Sequence, residues 1–292
     1  MNKISKVVIP IAGYGSRMFP ETLGVIKAML PLVDKPVILY LIEEAYKAGM
    51  DEIIIVMSKS QEDVKKFLTL SDEAVLNKFA AKKEVIALKE LLSKVKLTFV
   101  VQISQKGLGD AIGCAKEICN GEDFGVILGD NPILSRDPGA FGIGQLYEEY
   151  KKNNGYYIGV KEVPLVDTKK YGIVSSKDSS TTTFLLDGMV EKPQDNPPTN
   201  CAALGRYILK NSIFDYLTQI TAGVGGEIQI TDAIKIAIDK EKVYGTKLKG
   251  TCHDTGDRLG FVKANIDYSL MREDISAGVI DYLKNDLKDE LK

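Results

Sequence analysis

A chain of 292 residues, 45% of them hydrophobic, has the apolar material for one large α/β domain or two small ones. Its net charge of −2 excludes a broadly basic surface for a nucleic-acid polymer, while leaving room for a local cationic pocket that binds a small anion. No apolar run is long enough to span a bilayer, and the first six residues lead into a strand without a signal-peptide core, so a cytoplasmic enzyme with no membrane partner is expected.

The first predicted element is a buried parallel strand over residues 7–12, short, apolar and rich in β-branched side chains. It breaks out into Ala12-Gly13-Tyr14-Gly15-Ser16-Arg17-Met18-Phe19-Pro20, with Lys27 shortly after. Two glycines can take positive φ and bring backbone close to a ligand, and successive amides form a concave anion site. Arg17 adds a planar fork of donors and Lys27 a point charge. Together these suit a polyphosphate, although a strand followed by Gly-x-Gly is also an ordinary turn. The loop lacks the Gly-Lys-Ser/Thr ending of a P-loop, and Met18 occupies the third glycine position of the dinucleotide fingerprint.

Residues 29–32 read as a short buried extended segment. Asp34 is placed as an N-cap, with Pro36 in the first turn of a helix whose inner face is Val37, Leu41, Ala45 and Ala48 and which Gly49 stops. Strand Glu52–Met57 completes a βαβ unit. Residues 61–93 are a charged helical stretch in two pieces, suited to packing, a lid or a subunit contact. A third strand, 97–102, ends in Gln102-Ile103-Ser104-Gln105-Lys106-Gly107-Leu108-Gly109-Asp110-Ala111, where a helix begins that runs to about Cys119. Such a stretch is either a structural turn or a binding loop. The fourth strand, in 125–131, puts Asp130 at the carboxyl end of a parallel strand, where open α/β sheets bind ligands; it is either a turn cap or a carboxylate for Mg²⁺.

A helix over 141–153 and a strand over 156–160 follow. From about residue 161 the texture turns to short β stretches with many turn residues. Two islands stand out there, Lys170-Tyr171-Gly172-Ile173-Val174 and Met189-Val190-Glu191-Lys192-Pro193; by themselves Glu191 and Lys192 read as a solvated surface pair. Residues 225–240 carry a helix with a core face of Ile230, Ala233, Ile234, Ala237 and Ile238, Thr231 and Asp232 serving to cap or order the turn. An edge-like strand over 243–248 and the island Cys252-His253-Asp254-Thr255-Gly256-Asp257 precede a C-terminal amphipathic region. The four cysteines are scattered and His253 is the single histidine, which favours buried reduced thiols over a zinc site.

In this order and spacing the islands resemble bacterial-type UTP–glucose-1-phosphate uridylyltransferases, within the sugar-nucleotide pyrophosphorylase family. The likeness rests on residues 8–20 with 27–36, the Gln102…Lys106-Gly107-Leu108-Gly109 loop, Asp130, the Tyr171-Gly172 and Val190-Glu191-Lys192-Pro193 segments, Leu204-Gly205-Arg206-Tyr207-Ile208-Leu209 and His253-Asp254-Thr255-Gly256, and it spans nearly the whole chain. It implies an α/β, Rossmann-like nucleotide-diphospho-sugar transferase fold, with a mixed, mostly parallel sheet and helices on both faces. The implied organisation is a single domain, 1–292, with a nucleotide-binding half over about 1–160, a sugar-binding half over about 161–256 and C-terminal helices over about 257–292.

The resemblance also implies roles. Arg17, Lys27 and Lys192 are the catalytic cations, the first two on the triphosphate and Lys192 on the sugar phosphate. Ala12, Gly13, Gly15, Gln102 and Gly107 bind the nucleotide. Gly172, Glu191, Lys192 and Gly205 bind the sugar, with the 204–209 strand closing the sugar pocket and Glu227 a candidate acid on that side. Asp130 and Asp254 hold Mg²⁺. The implied reaction turns UTP and glucose 1-phosphate into UDP-glucose and pyrophosphate, by in-line attack of a sugar-phosphate oxygen on the α-phosphorus. That attacking group is already an anion, so the chemistry calls for cations and positioning, and His253 is expected to be packed. A homo-oligomer, dimer or tetramer, is expected.

The chain departs from the family pattern at Ser16, Ile26, Ala28, Asp110 and Asn131. Two alternatives follow: the same chemistry with dTTP or another sugar 1-phosphate, or a catalytically weak paralogue that binds sugar nucleotide and regulates a partner. Retention of Arg17, Lys27, Asp130 and Asp254 argues against the second.

Overall fold

Successive side chains of the first strand, β1 (Lys6–Pro10), point to opposite faces, so Val7 and Ile9 enter one hydrophobic core and Val8 another. In β2 (Glu52–Met57) the same alternation separates Ile53 and Ile55 from Ile54 and Val56. A strand covered on both faces requires a continuous apolar run, which is why these two segments are so uniformly β-branched. Strand β3 (Lys96–Val101) lies beside β2 and β4 (Phe124–Ile127) beside β1, all parallel.

The computed structural model describes residues 3–137, 139, 141–223 and 226–288; Gly225, where the helical segment expected over 225–240 opens, and the end of the tail lie outside them. The sheet continues through β5 (Tyr156–Glu162), β6 (Gly172–Ser175), β7 (Thr183–Leu185), β8 (Gly188–Glu191), β9 (Cys201–Leu209) and β10 (Val243–Lys247). The order is β7–β10–β5–β9–β4–β1–β2–β3, with β6 paired to β9 and β8 to β6. Strands β7, β8 and β9 run against the rest, so seven of the ten strands share a direction, as expected of a mixed, mostly parallel sheet. Strand β10 is not an edge, because β7 pairs along its outer side.

Helices cover both faces. On one lie α1 (Val37–Lys47), α3 (Gly142–Lys152) and α5 (Arg258–Leu270), and on the other α2 (Leu108–Gly113) and α4 (Ile230–Lys240). Asp34 does not cap α1: the helix starts without a side-chain cap, and Asp34 instead meets Arg272 Nη1 at 2.6 Å. The 61–93 stretch breaks into three helices, Glu62–Leu68, Glu73–Lys78 and Lys83–Ser93. Leu70 takes positive φ after the first, and the Asp72 side chain accepts from the Val75 N–H to start the second. No helix among the described residues is long and apolar enough to cross a membrane.

One polar contact ties the layers together. Arg206 on β9 is fully buried, and its guanidinium forks onto Glu44 of α1, with Nε to Oε1 and Nη2 to Oε2 both at 2.7 Å. The Ile143 N–H at the start of α3 also donates to Glu44 Oε1 at 2.7 Å. Arg206, expected on a strand closing the sugar pocket, therefore serves the interior: the buried Glu44 carboxylate claims it.

Candidate functional site

The loop after β1 takes its shape from Gly15, whose φ is +66°. A β-carbon there would sit 3.1 Å from the Thr22 methyl, and Thr22 Oγ1 donates to the Gly15 carbonyl at 2.8 Å, so the loop closes on itself. Ala12 is buried beneath it, and Gly13 faces open space. A short 3₁₀ turn, Ser16–Met18, buries Met18 and turns Arg17 outward. Arg17 Nη1 meets Asp254 Oδ2 at 2.9 Å, and its Nη2 lies 3.9 Å from Asp130 Oδ2. Lys27 Nζ contacts that same Asp130 oxygen. The four charged residues expected around the phosphates and the ion are thus brought into one group.

Local pairing explains why Asp130 and Asp254 meet. Ile133–Leu134 and Thr251–Cys252 form a short antiparallel ribbon, and the His253 N–H donates to the Pro132 carbonyl at 3.0 Å. Thr255 then donates both its N–H (2.9 Å) and its hydroxyl (2.8 Å) to the Asp130 carbonyl. Gly256 completes the group: a β-carbon there would lie 2.6 Å from Lys27 Nζ, 2.8 Å from Asp130 Oδ2 and 3.0 Å from Arg17 Nη2. Burial works against the Arg17 charge, but the Asp254 hydrogen bond and the charges of Asp254, Asp130 and Asp257 outweigh it, so its pKa lies above the ordinary value. Burial holds the His253 pKa below its usual range despite Asp267, whose Oδ2 is 3.3 Å from Nε2; this is a packed ring.

A second group forms on β6 and β8, where Gly172 and Glu191 are register partners. Glu191 Oε2 accepts from Thr231 Oγ1 at 2.6 Å, and Oε1 lies 3.2 Å from Lys192 Nζ. The Glu191 side chain is 13% exposed and the Lys192 side chain 43%, so the carboxylate is set into the group while the lysine end of the pair stays in solvent. Lys192 has φ +42°, and its N–H donates to the Tyr171 carbonyl at 3.0 Å. Burial, then the Glu191 charge, raises the Asp232 pKa. Thr231 thus belongs to this group, Asp232 lies near enough to feel its charge, and neither side chain caps α4; their signal is a polar pair beside the core residues Ile230 and Ala233. Tyr171 adjoins both groups: burial, then the Asp254 charge, pushes its pKa up to about 12, while Arg17 opposes the shift.

A third group lies at the end of β3. Gln102 is buried and donates to Asp110 and to the Gly107 carbonyl. Gly107 has φ +104°, and its β position lies 2.8 Å from both Glu227 Cβ and the Ile228 carbonyl oxygen. The Ile228 N–H donates to the Lys106 carbonyl at 2.6 Å, and the Gly109 N–H to the Ile228 carbonyl at 2.8 Å. The glycines here admit another stretch of chain. Glu227 accepts from Gln229 Nε2 at 2.8 Å.

Gly205 is not brought to the second group. It sits at φ +68° where β9 shifts register against β5, with its β position 2.7 Å from Leu128 Cγ, so the glycine is required by a bulge inside the sheet. A separate cavity of about 940 Å³, lined by residues of α1, Lys83, Leu88, Leu91, Ile133 and Phe141, touches none of the charged site residues Arg17, Lys27, Asp130, Asp254, Glu191 and Lys192.

Comparison with known proteins places these groups in context. The family model described as nucleotidyl transferase matches residues 6–269. A protein named UTP–glucose-1-phosphate uridylyltransferase from Staphylococcus epidermidis is 39% identical over 295 residues, spanning 97% of this chain and 99% of its own length. One of the same name from Bacillus subtilis is 36% identical over 298 residues, spanning 99% of each chain. A solved structure of UDP-glucose pyrophosphorylase complexed with UDP-glucose superposes with a TM-score of 0.83 at 32% identity, covering 92% of this chain and 100% of that one.

Proposed function

The chain belongs to the nucleotidyl transferase family, and on that premise we propose that it makes UDP-glucose and pyrophosphate from UTP and glucose 1-phosphate. The observation that carries this reading is the convergence of Arg17, Lys27, Asp130 and Asp254 just past the carboxyl ends of β1 and β4. Two cations matched to two carboxylates form a site whose cations an incoming triphosphate can claim.

In this reading the chain acts as one domain, with nucleotide groups before about residue 160, sugar groups between about 161 and 256, and C-terminal helices beyond. Arg17 and Lys27 receive the triphosphate above the backbone of Ala12, Gly13 and Gly15. Gln102 faces the base across the Gly107 loop. Gly172 and Glu191 take the sugar, and Lys192 holds its phosphate. Attack on the α-phosphorus brings two anions together, so the residues contribute chiefly by holding them in line and by neutralising charge.

Asp130 and Asp254 fit Mg²⁺. They are oxygen donors that meet at one guanidinium. That suits an ion which takes one or two protein carboxylates and fills its shell with phosphate oxygens and water. Bound there, it would relieve phosphate charge as a Lewis acid.

The test is pyrophosphate release by the purified protein with Mg²⁺, crossing UTP, dTTP, ATP, CTP and GTP against the 1-phosphates of glucose, galactose and N-acetylglucosamine. Release confined to UTP with glucose 1-phosphate is the expected result. A preference for another pair would keep the chemistry and change the substrate. No release with any pair, alongside clear UDP-glucose binding, would overturn the enzyme reading in favour of a regulatory paralogue.

A further inference from the structure

Gln102 is 4% exposed, and both hydrogens of its side-chain amide are taken up within the chain. Nε2 donates to Asp110 Oδ2 at 2.6 Å and to the Gly107 carbonyl at 3.3 Å. An ionised carboxylate and a backbone carbonyl oxygen can only accept. Turning the amide over would set Oε1 against two oxygens, so the surroundings dictate which way this amide points. Oε1 is then the part of the group left for a ligand, and it can only accept.

The frame that holds Asp110 is stiff. Asp110 lies in the first turn of α2, directly after the loop joined to Ile228 by the 2.6 Å and 2.8 Å backbone hydrogen bonds. Neither Gly107 nor Gly109 has room for a β-carbon beside Ile228. The carboxylate is therefore presented to Gln102 from a fixed platform, and Asp110 is one of the positions where this chain departs from the family it resembles.

We propose that Asp110 is a positioning residue for nucleobase choice: it holds Gln102 as a fixed acceptor that selects a pyrimidine carrying N3–H. This rests on the reading that Gln102 faces the base. Uracil and thymine offer a donor at N3, where cytosine has a bare lone pair. A fixed Oε1 pairs with the first two and opposes the third, and the donor of cytosine, its 4-amino group, sits one ring position away. An amide free to turn would serve either base by presenting Nε2 to cytosine N3. The 5-methyl group of thymine plays no part in this contact, so the device separates UTP from CTP and leaves UTP against dTTP to other residues.

Equilibrium binding tests this without depending on the sugar. Calorimetric titration with UTP, CTP and dTTP in the presence of Mg²⁺ is compared for the wild-type chain, Asp110→Ala, Asp110→Asn and Gln102→Leu. In Asp110→Ala the preference for UTP over CTP is expected to narrow by about tenfold or more, the scale of one misplaced hydrogen bond, with the UTP-to-dTTP ratio held within about twofold. Asp110→Asn can turn its own amide to accept from Nε2 or to donate to Oε1, so it is expected to narrow the preference too, by less than the alanine variant. If Asp110→Ala weakens UTP and CTP equally, or leaves their ratio unchanged, while Gln102→Leu abolishes the preference, the positioning role is overturned and the base contact stands. If Gln102→Leu leaves UTP affinity and the preference untouched, the base contact and the positioning role both fall. Should the alanine variant fail to fold by circular dichroism, Asp110→Leu, closer in volume, is judged by the same ratios.

Discussion

Thr255 donates twice to a single atom: its backbone N–H at 2.9 Å and its hydroxyl at 2.8 Å both reach the main-chain carbonyl of Asp130, 125 residues away in sequence. The contact joins the two loops that carry the site aspartates, and Thr255 is fully buried. Thr255→Val keeps the side-chain shape and the backbone bond but removes the hydroxyl donor. The expected cost is about 1 kcal/mol of stability, with kcat/KM for pyrophosphate release falling by about tenfold, a loss of about 1.4 kcal/mol in transition-state stabilisation. Denaturant unfolding and steady-state assays would check this; an unchanged kcat/KM would show that one tether suffices to set the aspartate spacing.

Gly256→Ala should separate activity from stability. The added β-carbon would meet Lys27 Nζ at 2.6 Å, Asp130 Oδ2 at 2.8 Å and Arg17 Nη2 at 3.0 Å. All three are the ends of side chains that can swing aside, so the fold is expected to survive with a change within about 1 kcal/mol. The group cannot keep its geometry, however, and kcat is expected to fall by about a hundredfold or more. Thermal unfolding run beside pyrophosphate release decides it: a loss of stability that matches the loss of activity would mean that this glycine serves packing instead.

Most of the sheet was legible in the sequence because burial on both faces leaves β1 and β2 no alternative to continuous β-branched runs. The charged site residues were legible through motifs alone, since nothing local in Asp130 or Asp254 says that they meet. The meeting depends on Thr255 and the short ribbon, a pairing between segments more than a hundred residues apart. Gly205 and Arg206 show the converse. A glycine needed by a bulge under Leu128 looks the same in sequence as one that makes room for a ligand, and an arginine claimed by Glu44, 162 residues distant, looks the same as one awaiting a substrate. Leu70 and Asp72 mark the division of the 61–93 stretch that its two-piece apolar pattern already shows, whereas the break between Lys78 and Lys83 falls inside the longer piece, where that pattern runs on.

Arg206 offers a test of that interior contact. Arg206→Met removes the fork and leaves the Glu44 carboxylate buried with the Ile143 N–H as its remaining donor among the contacts described. Breaking a buried pair from one side costs about 3–5 kcal/mol, whereas replacing both partners by apolar residues costs far less. Arg206→Met is therefore expected to lower the urea midpoint sharply, and Glu44→Leu with Arg206→Met to recover much of the loss. If the double variant is as unstable as the single one, the pair contributes attraction beyond the cost of burying it.

Glu241, at the C-terminal end of α4, supplies a pH dependence. Its Oε1 accepts from Ser212 Oγ at 2.6 Å and Tyr216 OH at 2.8 Å, and its Oε2 contacts Lys210 Nζ. Burial, the largest single influence, pushes the carboxyl pKa up, but the hydrogen bonds from Lys210, Ser212 and Tyr216, together with the Lys210 charge, outweigh it and leave the pKa below the ordinary value. A carboxyl with a lower pKa folded than unfolded binds fewer protons in the folded state. Its contribution is therefore complete above the unfolded value of about 4.3 and drains away as pH falls through the folded value. Glu241→Gln keeps the shape and removes the charge. The wild-type chain is expected to exceed the variant in stability by a constant margin near neutral pH, and the margin to shrink below about pH 4. Urea unfolding across a pH series would measure it, and a margin that stays constant into the acid range would show that side-chain geometry, rather than charge, makes the difference.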